Sequence, residues 1–79
     1  MAMLKRSQTD VLLHNTAAVG ALIRSRRKEL ALTQKQLSEL TGLSLAFVNG
    51  IENGKETAEI GKALQLLAAL GIDLQGRVR

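Results

Sequence analysis

Glu52, Glu56 and Glu59 stand four and three residues apart, close to the spacing that gathers side chains on one helix face. Carboxylates placed this way are the raw material of a metal site or a general acid–base pair. Neither use finds a partner in this chain. The one histidine, His14, lies near the start, and there is no cysteine. The 7 glycines are scattered along the chain rather than gathered into a phosphate-cradling loop. No catalytic residue, no metal site and no cofactor is expected, and the chain is not read as an enzyme. A different chemistry remains, that of the amides and cations spread along the chain. An amide donates and accepts side by side, and an ammonium is a mobile positive charge.

Composition narrows the setting. The chain has 79 residues, enough for one small domain. A domain near this size buries only about 60% of its unfolded surface, so association is a common remedy for marginal stability. Without cysteine, neither a disulfide nor a thiolate metal site can supply the difference. The apolar residues are Leu, Ala, Ile and Val with a single Phe and no Pro, the palette of a helical bundle. Lys and Arg number 11 against 7 acids, a net charge of +4. That excess fits either plain solubility or an anionic partner, nucleic acid first. No apolar run reaches the roughly 18 residues of a membrane span, and Val11-Leu12-Leu13 is too short for a signal-peptide core. The expected location is the cytoplasm.

The elements that would position these groups can be read from caps and periodicity. Residues 1–14 show weak periodicity and are expected to form an N-terminal arm, with Val11, Leu12 and Leu13 available to pack on the domain. Asn15 is a good N-cap for a first helix over about 16–30, with Val19, Leu22, Ile23 and Leu30 on one stripe. Thr33 caps a second helix over 34–41, and Gln36 three residues on completes a capping box. Leu37 and Leu40 are its expected apolar contacts. Gly42 permits a sharp turn, and Ser44 caps a third helix over 45–53 whose inward stripe is Phe47, Val48 and Ile51. Asn53-Gly54 stops it. Thr57 is expected to cap a fourth helix over 58–70, packed through Ile60, Ala63, Leu64, Leu67 and Leu70 and ended by Gly71. The period then changes. Ile72, Leu74 and Val78 alternate with polar residues, which argues a strand over 72–79. No second strand follows, so its natural partner is the same strand of a second copy, giving a two-fold homodimer. The bland alternative is a frayed tail. The fold class expected is all-α: a four-helix domain over 15–71 with a short C-terminal dimerisation strand.

Two helices joined by a Gly turn make a helix-turn-helix. The details are more specific. The stretches LTQKQLSELTGLS and FVNGIENGK resemble the Cro/C1-type helix-turn-helix family of phage repressors. The resemblance covers about residues 16–71 and rests on Thr33-Gln34, Gly42-Leu43-Ser44 and Val48 through Gly54 at fixed spacing. The ending, IENGKETAEIGKALQLLAALGIDLQGRVR, is similar to the HipB-type antitoxins, short repressors that finish in a strand. Ala31 departs from the family, which usually has Gly between the first two helices; a left-handed exit there would be strained by about 1 kcal/mol.

The resemblance implies an activity and a set of site residues. It implies binding to a double-stranded DNA operator as a homodimer, repression of transcription, and partnership with a HipA-type kinase toxin. Gln34 would grip a phosphate at a helix N-terminus, where free N–H groups and a partial positive charge meet. Lys35 lies beside it, and Asn53 and Lys55 would touch the backbone after the third helix, with salt-sensitive affinity. Ser44 caps the reading helix. Leu45, Ala46, Asn49 and Gly50 are its reading positions, of which only Asn49 can make a bidentate contact, most naturally to adenine. Leu45 and Ala46 suit thymine methyls. Phe47 is either a thymine contact or packing beneath the helix. Arg27 and Glu52 would form a structural pair tying the third helix to the first, with a phosphate contact as an alternative use of Arg27. Arg24, Arg26 and Lys28 form a positive patch or a solvated face, and Arg77 and Arg79 could meet DNA or an acidic partner. The competing functions are a free-standing phage-type repressor without a toxin and a protein-interaction adaptor that kept the fold and lost DNA binding.

Overall fold

The computed structural model describes residues 10–79. The expected arm over residues 1–14 therefore lies largely outside the described residues, and residues 10–14 carry no regular structure. Four helices follow: α1 (Thr16–Glu29), α2 (Gln34–Thr41), α3 (Leu45–Glu52) and α4 (Ile60–Ala69).

Local chemistry sets most of the boundaries. The Asn15 side chain accepts from Ala18 N at 2.8 Å and starts α1. Thr33 Oγ1 accepts from Gln36 N at 3.0 Å while Gln36 Oε1 accepts from Thr33 N at 2.8 Å, so α2 begins in a full capping box. Ser44 Oγ accepts from Phe47 N at 3.0 Å and starts α3. α1, α3 and α4 stop in one way. After each, a left-handed residue turns the chain, and the next N–H returns to a carbonyl five residues back: Leu32 to Arg27, Lys55 to Gly50, Ile72 to Leu67. The turning residue is Gly54 or Gly71 in two cases and Ala31, with φ 58°, in the other. Ala31 thus holds the left-handed exit for which its sequence is poorly suited.

The core is Ile23, Leu37, Leu43, Val48, Ile51, Leu66, Leu67 and Leu70, with Phe47, Ala58 and Ile72 packed against it. α3 lies against α1 and α2, and α2 also meets α4. Gly20 lets α1 cross the end of α3 closely. A Cβ there would collide with the Ile51 carbonyl oxygen and stand 2.7 Å from that of Glu52.

Several expectations are corrected. Leu40 is 70% exposed and is no core contact of α2. Leu30 lies beyond α1 as its C-cap and is exposed. α4 starts at Ile60 with Glu59 as an uncapped N-cap, so Thr57 caps nothing. Its place is taken by a turn that drops Ala58 against the core. The inward face of α4 is Ala63, Leu66, Leu67 and Leu70, whereas Ile60 and Leu64 are 75% and 44% exposed. Among the described residues there is no strand. Residues 72–79 run without helix or ladder, as they must where a lone strand meets no partner. Ile72 is half-buried on the chain's own core, while Leu74 and Val78 are exposed.

Candidate nucleic-acid interface

The α2–α3 unit is built around a short turn. Gly42 sits at φ 75°, and Ser38 Oγ donates to Leu43 O at 2.6 Å, fixing Leu43 in the core. α3 therefore buries Val48 and Ile51 and presents Leu45, Ala46, Asn49 and Asn53 outward. Phe47 is half-buried against the core, so packing is its role. Lys35, Ser44 and Lys55 are exposed, with the Ser44 hydroxyl occupied as the cap. Gly50 faces the stem of Lys55, and a Cβ on it would stand 3.4 Å from Lys55 Cδ, an ordinary contact.

The first helix of the unit is held to the second by a polar network. Arg27 donates from Nε to Glu52 Oε2 at 2.7 Å and from Nη2 to Oε1 at 3.0 Å, and its Nη1 reaches Leu32 O at 2.7 Å. The two side chains are 9% and 3% exposed. That burial leaves Arg27 no free face for a phosphate. Burial by itself would push the Glu52 carboxyl up. The hydrogen bonds from Arg27 and Gln34 and the charges of Arg27 and Arg24 outweigh it and hold the group below the usual carboxylate value. The Arg27 guanidinium is raised, chiefly by its hydrogen bond to Glu52.

Gln34 is half-buried. Its Nε2 donates to Glu52 Oε1 at 3.0 Å, and its Oε1 accepts from Asn49 Nδ2 at 3.3 Å. Asn53 Nδ2 donates to Asn49 Oδ1 at 3.2 Å and to Asn49 O at 2.9 Å. The structure thus joins Arg27, Glu52, Gln34, Asn49 and Asn53, and leaves Lys35, Leu45, Ala46 and Lys55 as separate groups around them. Arg26 is the residue that sequence reasoning misplaced. Its Nε donates to Leu70 O at 2.9 Å and so ties the end of α1 to the end of α4. A cation beside a helix C-terminus is the signal that could have found it.

Residues 23–76 match the family model HTH_3, described as helix-turn-helix. The chain belongs to the helix-turn-helix family. Among curated relatives it is 47% identical over 58 residues to an uncharacterized HTH-type transcriptional regulator, y4mF, of Sinorhizobium fredii, covering 73% of this chain and 76% of that one. It is 38% identical over 50 residues to an uncharacterized HTH-type transcriptional regulator of Methanothermobacter thermautotrophicus, covering 63% and 72%. It is 30% identical over 56 residues to the ImmF control region 10 kDa protein of Bacillus phage phi105, covering 71% and 62%. Among solved structures, the HipB chain of a HipB–O2 20mer complex superposes with a TM-score of 0.80 at 14% identity, covering 89% of this chain and 97% of that one. A HipB–O4 20mer complex gives 0.79 at the same identity, covering 87% and 97%. At that identity the likeness concerns the fold. Within the helix-turn-helix, α2 and α3 are the two motif helices, and no helix among the described residues is long and apolar enough to cross a membrane.

Proposed function

We propose that this chain is a sequence-specific DNA-binding transcriptional repressor that acts in the cytoplasm as a homodimer, and that it is the HipB-like antitoxin of an operon encoding a HipA-type kinase toxin. The observation that carries the DNA reading is the outer face of α3. There an exposed Asn49 amide is held in place by Gln34 and Asn53, and the cations Lys35 and Lys55 are exposed at the second residue of α2 and three residues after α3. Phosphate contacts from the α2 N-terminus, Gln34, Lys35, Asn53 and Lys55 would set the register, and Asn49, Leu45 and Ala46 would read bases. The regulators named among the relatives support the transcriptional role, and the shared fold with HipB supports the antitoxin role.

The homodimer reading draws on exposed apolar surface. Leu13, Ile60, Leu64 and Leu74 line one groove of about 310 Å³, and Leu74 and Val78 alternate along the C-terminal segment. Pairing of that segment across a two-fold axis would cover them and satisfy its backbone. Two copies so joined would present their α3 helices to half-sites about one helical turn apart, roughly 34 Å. The second reading is a free-standing regulator without a toxin, which the transcriptional regulators among the curated relatives also support.

The test combines three readings on one preparation. A footprint on the DNA upstream of its own gene is expected at paired half-sites. Light scattering is expected to give the dimer mass, and the monomer mass after truncation at Gly71. Copurification from the native host is expected to bring down a kinase encoded beside it. Protection of no discrete site would sink the repressor reading. An unchanged mass on truncation would remove the strand. A stable protein with no copurifying neighbour would leave the free-standing regulator.

A further inference from the structure

Five side chains form one directed line of hydrogen bonds from the core to the outer face of α3. Arg27 donates to both oxygens of Glu52, and Gln34 Nε2 donates to Glu52 Oε1 at 3.0 Å. Asn49 Nδ2 then donates to Gln34 Oε1 at 3.3 Å, and Asn53 Nδ2 to Asn49 Oδ1 at 3.2 Å. An amide has almost the same shape when its oxygen and nitrogen are exchanged, so shape does not choose its direction. The carboxylate does. An ionised Glu52 only accepts, so Gln34 must turn its NH2 inward and its carbonyl outward. That carbonyl also only accepts, so Asn49 must turn its NH2 toward it. Asn53 meets the Asn49 carbonyl with its own NH2 for the same reason.

We propose that Glu52 is a positioning residue for base reading: through Gln34 it fixes the direction of the Asn49 amide, and thereby which base α3 accepts. The inference rests on the DNA-binding function proposed above. The valence of Asn49 supports it. Its amide has two N–H groups and two lone pairs, of which Gln34 takes one N–H and Asn53 one lone pair. One donor and one acceptor remain, in fixed order, on an exposed side chain. That pair is the complement of the adenine major-groove edge, an N7 acceptor beside an N6 donor. A reversed amide in the same backbone pose would set oxygen against N7 and hydrogen against hydrogen. Gln34 keeps one N–H free in this arrangement, so it can hold the line and still meet a phosphate. The Arg27–Glu52 pair therefore does more than clamp α3 to α1. Its acidic member also supplies the polarity that the apolar neighbours Leu45 and Ala46 cannot.

The experiment is selection from randomised duplexes, followed by binding curves on the selected site and its single-base variants. The position read by Asn49 is the one whose preference disappears in Asn49→Ala. Wild type is expected to favour adenine there by roughly 5- to 150-fold, the range of one bidentate contact. Glu52→Gln is nearly isosteric but can donate as well as accept, so both amide directions become open. It is expected to bind with that preference reduced to about 2-fold or less, the other positions being unaffected. Glu52→Asp keeps an acceptor-only group and is expected to retain the preference even with a lower Tm, which a purely structural role would not produce. Gln34→Leu cuts the line while leaving the Arg27–Glu52 pair in place, and is expected to lose the preference with a near-normal Tm. It serves in place of Glu52→Gln should that variant not fold. Adenine preference unchanged in Glu52→Gln, or in Gln34→Leu, overturns the proposal and leaves the DNA function standing. A wild type with no base preference anywhere overturns both.

Discussion

Replacing Arg27 by Met strips the positive charge from a carboxylate whose side chain is 3% exposed. Breaking a buried pair by removing one partner costs about 3–5 kcal/mol, because the remaining charge is desolvated without compensation. The Leu32 carbonyl also loses its donor at 2.7 Å, adding about 1 kcal/mol. A chain of 79 residues has a total stability of about 4–12 kcal/mol at 0.05–0.15 kcal/mol per residue. Arg27→Met is therefore expected to consume much of it. With no Trp and no Tyr, the unfolding is best followed by far-ultraviolet circular dichroism in urea. At a slope near 1 kcal/mol per molar, the midpoint should fall by about 4–6 M or reach zero. Arg27→Met with Glu52→Met should recover most of the loss, since an apolar pair of similar volume replaces an ion pair at little net cost. The single variant should also gain stability as pH falls from 7 to 5. Its buried Glu52, freed of the arginine, is pushed upward by burial and is relieved on protonation. A loss below 1 kcal/mol in the single variant, or a double variant no more stable than the single, would refute the reasoning.

In the wild type the sign with pH is reversed. The folded Glu52 lies below its unfolded value of 4.5, so its contribution is present above that pH and is lost as pH falls through the folded value; Glu52→Gln should give a flatter acid limb in a pH series of thermal melts. Gly20→Ala should destabilise by about 1–3 kcal/mol despite the better helix propensity of Ala, because the new Cβ meets backbone oxygens of Ile51 and Glu52 rather than a yielding side chain; a stability gain in urea would contradict the close crossing. Ala31→Gly should stabilise by about 0.5–1 kcal/mol, the relief of a left-handed Ala less the greater freedom of unfolded Gly. A lower Tm for that variant would contradict the assigned exit.

How much of this was legible in the chain depends on how local each cause is. Asn15, the Thr33–Gln36 box, Ser44 and Gly42 act within four residues, and the starts of α1, α2 and α3 follow from them. α4 has no such cap, and its start was misplaced at Thr57. Its sequence is apolar on more than one face, so spacing alone allowed the stripe through Ile60 and Leu64 as readily as the one through Leu66. Which face turns inward is decided by Leu37, Leu43 and the other helices, and that information is not local. The site divides in the same way. The family pattern located Gln34, Asn49, Asn53 and the Arg27–Glu52 pair, but not that one line of hydrogen bonds joins them. The direction of an amide is set by its neighbours in space, and Glu52 is 18 residues from Gln34. Arg26 was read as part of a charged patch because its partner, the Leu70 carbonyl, lies 44 residues away.

The central claim is that the α3 face reads DNA, and a salt-titrated anisotropy assay tests it most directly. The protein's own upstream duplex would be compared with a scrambled duplex of equal composition. The account predicts weakening with salt on both, from the phosphate contacts, and a preference for the upstream duplex of about 10³-fold or more that persists as salt rises. Equal affinity for the two duplexes at every salt concentration, or no binding at low salt, would contradict it.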